Sequence, residues 1–179
     1  MKKWTVKKSK VALDASPFMI VRQEECLLPS GLTIPDYNVI SEPDIVIAFV
    51  LTEDNEVVLV EQYKHGIGEI CLEVPGGLSD GGAPLDEVKR EISEETGYES
   101  DNWEHLQTYI NNPTRINNRI YAYIARDAKK VTEQHLDPAE EITVHTLSIE
   151  EVLEAIQTGK ISAVHSIAMI FHALNHLKT

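Results

Sequence analysis

Residues Gly76 to Tyr98 read GGLSDGGAPLDEVKREISEETGY, a glycine-rich loop followed by a short run crowded with carboxylates. Glu91, Glu94 and Glu95 stand at i, i+3 and i+4. At about 100° per residue, a helix puts them within a wedge of roughly 100°. Glu87 falls inside the same wedge, whereas Leu85, Val88 and Ile92 fall on another side and can seat the helix on a core. Pro84 near the first turn and Gly97 at the end mark the helix limits. The expectation is a helix that packs on one face and carries a carboxylate cluster on the other.

Like charges at i, i+4 cost a helix a few tenths of a kcal/mol per pair, and Lys89 and Arg90 offset only part of this cluster. A bound cation would remove the cost. Magnesium takes oxygen ligands, keeps several waters, and uses one or two carboxylates together with substrate phosphates. A merely solvated acidic face is the alternative, and the glycines entering the segment after Pro75 weigh against it.

The segment resembles the Nudix hydrolase signature: a Gly, five residues, a Glu, seven residues, then Arg-Glu, an apolar residue, any residue, Glu-Glu, any residue, Gly and a bulky residue. This chain supplies Gly76, Arg90, Glu91, Ile92, Glu94, Glu95, Gly97 and Tyr98. One position departs. The early Glu falls on Gly82, and realigning from Gly77 places Ala83 there. The resemblance implies the Nudix fold, an α+β arrangement with a mixed β-sheet sandwiched between α-helices. It also implies magnesium or manganese held by Glu91 and Glu95 with help from Glu94 and the Gly76 carbonyl. Arg90 is then expected to orient carboxylates on the Glu87 and Glu94 side, or to form an ordinary surface ion pair.

Composition narrows the function classes. A chain of 179 residues suffices for one domain with a small appendage. A net charge of −13 argues against a nucleic-acid binder that works by neutralising phosphates. Cys26 and Cys71 match no zinc spacing and read as reduced, buried thiols, which suits a cytoplasmic protein. The apolar run Ile45 to Leu51 is far too short to cross a bilayer, and the lysine-rich start lacks the apolar stretch of a signal peptide. That start reads as a solvated strand or tail.

Along the chain the pattern is strand-rich, without internal repeats. Met19–Cys26 and Thr33–Ile40 read as a hairpin around Leu-Leu-Pro-Ser-Gly, and residues 1–43 form the N-terminal β appendage ahead of a domain over 44–179. Ile45–Leu51 and Val57–Gln62 pair around Glu53-Asp54-Asn55, and Ile70–Val74 leads into the glycine loop. Trp103–Ile110, Arg119–Ala125 and Ile142–Leu147 supply further strands. Ser148 and Glu151 have capping-box spacing for a helix to about Gln157, and a last helix carries Val164, Ile167, Ile170, Phe171 and Leu174 on one stripe. Its His165, His172 and His176 read as surface histidines, having no tightly spaced acidic or cysteine partner.

Outside the box, Glu61-Gln-Tyr-Lys-His65, Leu72-Glu-Val-Pro-Gly-Gly77 and Pro113 are similar to stretches of the ADP-ribose and nucleoside-diphosphate-sugar pyrophosphatase branch. That likeness implies hydrolysis of ADP-ribose to AMP and ribose 5-phosphate and a homodimer built through the N-terminal strands. GDP-mannose or another nucleotide sugar, or a regulatory module without catalysis, are the alternatives, and Gly82 is the feature that favours the last. Lys64, Arg115 and Arg119 are the basic residues placed for phosphate or ribose contacts, and a solvated surface charge is the slightly favoured alternative for each. Trp4 is placed to stack on a base. Relatives of this kind take the attacking water's proton with a carboxylate on a closing loop. Here Asp137-Pro-Ala-Glu-Glu141 is that loop, with Glu140 the expected base, Glu141 its alternative, and Glu94 or metal-bound hydroxide alone should neither loop residue act.

Overall fold

The computed structural model describes residues 1–178, and its contacts divide the chain into two compact units. The first comprises Met1–Asp44 and Ile110–Arg119, so a segment from the middle of the chain joins the appendage expected over 1–43. Three antiparallel strands build it: β1 (Thr5–Ala15), β2 (Met19–Leu27) and β3 (Thr33–Ser41). The lysine-rich start thus leads into a strand, irregular in its register on β2 between Val6 and Lys8 and between Val11 and Leu13, and all of β1 is exposed. Trp4 meets the edge of Tyr37 with ring centroids 5.6 Å apart, and the Arg115 guanidinium lies 4.9 Å from the Tyr37 ring centroid. The Tyr37 hydroxyl donates to the Thr114 carbonyl, and Arg115 Nη1 donates to the Asn38 carbonyl at 3.3 Å. Arg119 donates its backbone N–H to Asp44 Oδ1 at 2.7 Å.

The second unit, Ile45–Tyr109 with Ile120 onward, contains the mixed sheet. Its strands are β4 (Ile45–Thr52), β5 (Val57–Lys64), β6 (Glu69–Glu73), β7 (Gly76–Leu78), β8 (Tyr98–Glu99), β9 (Asn102–Ile110), β10 (Arg119–Lys130) and β11 (Ile142–Leu147). The central order is β11-β5-β4-β10-β8, with β6 on β5, β7 on β4 and β9 on β10. Only the β10–β4 pairing, from Ile120 opposite Ile45 onward, is parallel among those resolved residue by residue.

The apolar run of β4 explains the layers. A strand presents alternate residues to opposite faces. Ile47, Phe49 and Leu51 join one core with Val152, Ala155, Met169, Ile170 and Ala173, from helices α2 (Ile149–Gln157) and α3 (Val164–His176). Val46, Ala48 and Val50 join the other core with Val88 and Ile92 of helix α1 (Pro84–Thr96). Both faces are covered, so the strand needs no polar alternation. The expected sandwich of a mixed sheet between helices is the observed fold.

The helix limits follow the sequence signals closely. Pro84 opens α1, and Gly97 closes it in the left-handed conformation, its N–H donating to the Ser93 carbonyl. Ser148 and Glu151 form the reciprocal capping box that starts α2. Replacing Ile92 by Ala opens a cavity at a side chain only 1% exposed. Such a truncation costs about 2–5 kcal/mol, and the urea midpoint of Ile92→Ala should fall accordingly at unchanged denaturant slope.

Candidate active site

The glycine loop and α1 are tied together by their backbone. Strand β7 pairs with β4 at Ile47–Gly76, Val46–Gly77 and Ile45–Leu78. A Cβ at Gly76 would lie 2.1 Å from the Val46 carbonyl oxygen, and its φ of 152° is one that side-chain-bearing residues rarely adopt. The Gly76 N–H donates to Glu95 Oε2 at 2.9 Å. A Cβ at Gly77 would fall 2.5 Å from the Glu91 carboxyl carbon. Two adjacent glycines thus let two carboxylates of α1 come against main chain.

The carboxylate face is much drier than expected. Glu95 and Glu87 are each 6% exposed, so α1 buries part of its acidic side as well as its apolar one. Burial pushes the Glu95 carboxyl from 4.5 up to about 8; the Gly76 N–H opposes this, while the charges of Glu91 and Glu140 add to it. Burial also raises Glu91, against the pull of Arg90 and with a further push from Glu94 and Glu140. Glu140, half-buried in the loop before β11, is therefore close enough for its charge to be felt at both carboxylates. Glu141 is exposed.

Arg90 bridges Glu91 Oε1 and Glu94 Oε2, each at 2.6 Å, and stands 3.6 Å from Asp80. It orients Glu91 and Glu94, where the expected pair was Glu87 and Glu94. Glu87 instead serves the loop, its Oε1 accepting the N–H groups of Asp80 at 2.9 Å and Gly82 at 2.7 Å. Burial works against the Glu87 anion, but hydrogen bonds from Ser79, Gly82 and Asp80 and the charge of Arg90 outweigh it and lower its pKa. A Cβ at Gly82 would sit 3.1 Å from Glu87 Oε1. A glutamate there would start its side chain against another carboxylate.

Lys64 lies beside this centre. Its Nζ donates to Gln62 Oε1 at 2.8 Å and pairs with Glu73 Oε2 at 2.9 Å. Lys64, Glu73 and His165 line one cavity of about 300 Å³ together with Gly76 and Glu95. His165, expected on the surface, is a half-buried residue of that cavity, and sequence spacing gave no sign of it. His172 and His176 do stand elsewhere, against Tyr109 at 2.9 Å and Glu104 at 2.8 Å. Arg115, Arg119 and Trp4 belong to the first unit, as described above.

The donor set fits a hard divalent cation. Glu91 and Glu95 offer oxygen ligands that are desolvated and mutually repelling, a cost that a cation would relieve. Among the described residues no three His, Cys, Asp or Glu side chains converge as a complete metal cage. A partial shell completed by water and substrate phosphate is the usual habit of magnesium.

The NUDIX domain model matches residues 42–167. The chain belongs to the Nudix family. It is 32% identical over 136 residues to a methanol dehydrogenase activator of Bacillus methanolicus, covering 75% of this chain and 73% of that one. It is 22% identical over 140 residues to an ADP-ribose pyrophosphatase of Bacillus subtilis, covering 77% and 75%. A crystal structure of an ADP compounds hydrolase superposes with a TM-score of 0.87 at 17% identity, covering 99% and 96% of the two chains, which bears on the fold alone. Nudix hydrolases generally use divalent ions such as magnesium.

Glu95 generates a pH signature. Its folded pKa of about 8 lies above its ordinary 4.5, so the metal-free folded chain holds an extra proton between those values. The associated stability is present below pH 4.5 and lost as pH rises through 8. Glu95→Gln removes this dependence and should overtake the native chain in stability above pH 8. Urea unfolding in chelator from pH 5 to 9 measures it, and parallel pH profiles for the two proteins would contradict the assignment.

Proposed function

We propose that this Nudix protein hydrolyses the pyrophosphate bond of a nucleoside diphosphate sugar, with ADP-ribose as the first substrate and AMP and ribose 5-phosphate as products. The observation that carries the reading is the desolvated Glu91–Glu95 pair set against Gly76 and Gly77. A diphosphate is itself anionic, so a site of this charge can take it only with a cation between them. Glu91 and Glu95, with Glu94 and the Gly76 carbonyl, would hold magnesium or manganese. When bound, the ion would neutralise diphosphate charge and acidify a coordinated water.

The chain's own groups then divide the remaining work. Arg90 holds Glu91 and Glu94 in place through its two nitrogens. Glu140 accepts the proton of the attacking water as the new P–O bond forms, and the bridging P–O bond breaks to release the second phosphate monoester. Its position near Glu91 and Glu95, seen in its effect on both, favours it over the exposed Glu141.

Activity should vanish in chelator and return with magnesium. Removing a general base costs about 10² to 10⁴ in rate, so Glu140→Gln should lower kcat by that order while substrate still binds. Normal turnover by Glu140→Gln together with loss in Glu141→Gln would move the role by one residue.

The three-stranded unit supports a homodimer. Phe18, Val11, Leu13 and Trp4 are 68%, 58%, 48% and 46% exposed, and Ile20 and Val21 are only half-buried. So much apolar surface on one small sheet suits a second copy. Sedimentation at micromolar concentration should give a dimer, and Phe18→Asp with Val11→Asp should shift it to monomer. A fully active monomeric native protein would count against this assembly.

A further inference from the structure

The cavity shared by Glu95 and Gly76 contains a polar group for which the hydrolytic reading has no role. Glu73, 7% exposed, faces Lys64 Nζ with Oε2 at 2.9 Å and His165 Nε2 with Oε1 at 3.5 Å. The Lys64 charge is matched by Glu73, which leaves no surplus cation to bind phosphate. Burial lowers the His165 pKa, Lys64 adds to this, and Glu73 opposes both without reversing them. A neutral imidazole offers one N–H donor and one lone pair.

We propose that His165, backed by Glu73, contacts hydroxyl groups of the sugar joined to the diphosphate and so helps select the substrate. With Nε2 turned to the Glu73 carboxylate, Nδ1 is left to accept from a sugar hydroxyl, a donor that an ionised phosphate lacks. The remaining lining is aliphatic or glycine, with no Phe, Tyr or Trp among the described residues, so a stacked base is poorly served. A volume of about 300 Å³ stands at the lower end for ligand sites and suits one moiety of a nucleotide sugar. The assignment rests on the substrate class proposed above and deepens it.

Two substrates separate the roles: ADP-ribose, and the methyl ester of ADP, which keeps the diphosphate and lacks the sugar. His165→Phe keeps a ring and removes both nitrogens, whereas His165→Gln keeps a donor and an acceptor. Loss of a hydrogen bond of ordinary strength is worth about tenfold in affinity at most. His165→Phe should therefore raise KM for ADP-ribose by up to about tenfold, leave the methyl ester unchanged, and be partly rescued in His165→Gln. Equal losses on both substrates, or none on either, would overturn the subsite. Should the native protein hydrolyse no nucleoside diphosphate sugar, the substrate reading fails separately, and carbon–proton NMR of the histidine rings decides the subsite. The signal missing from His165→Phe should shift with ADP-ribose and not with ADP; no shift, or equal shifts with both, would overturn it.

Discussion

The Glu95 carboxylate accepting the Gly76 N–H is the contact on which the site depends. It joins the last turn of α1 to β7, and β7 is in turn fixed by its register on β4. The bond favours the ionised carboxylate, yet burial weighs more and holds its pKa high. The fold thus keeps an acidic group where water solvates it poorly, which is costly unless a counter-charge arrives. Val88 and Ile92, fully packed on the opposite core, hold α1 in this position.

The arginine and glutamates around that contact perform different tasks despite their similar chemistry. Glu95 and Glu91 are desolvated and face the glycines, Glu94 remains partly exposed and bound to Arg90, and Glu87 caps the loop. Arg90 cannot neutralise the whole cluster, because its two close partners are Glu91 and Glu94 and its fork is used by them. Where the family signature has a glutamate this chain has Gly82, and the Glu87 carboxylate takes the N–H groups of Asp80 and Gly82. Gly82 thus lies against the carboxylate that already accepts the N–H groups of the loop.

Much of this was legible from the sequence. Most strands came from β-rich runs and turn residues, although β7 and β8 carried no such signal and β10 runs past Ala125 to Lys130; the α1 limits came from Pro84 and Gly97, and the α2 start from the Ser148–Glu151 spacing. These signals are local, because backbone geometry repeats every two residues in a strand and every 3.6 in a helix. The same periodicity placed Glu91, Glu94 and Glu95 together, and the box placed them after the right loop. Strand β1 was less legible, since its residues are all exposed and show no buried alternation.

Tertiary structure decided what each of those residues experiences. Helical spacing could not tell that Glu87 and Glu95 are dry, because burial depends on the loop and sheet packed across the helix. Nor could it bring His165 of α3 to Glu73 of β6, residues far apart in the chain that meet only when α3 packs on the sheet. Charge and pairing are set by desolvation and by long-range neighbours, whereas element type is set by adjacent residues. For that reason the sequence alone determined the architecture and the carboxylate helix, and only the folded chain determined which carboxylates are desolvated, which one serves the loop, and which histidine enters the cavity.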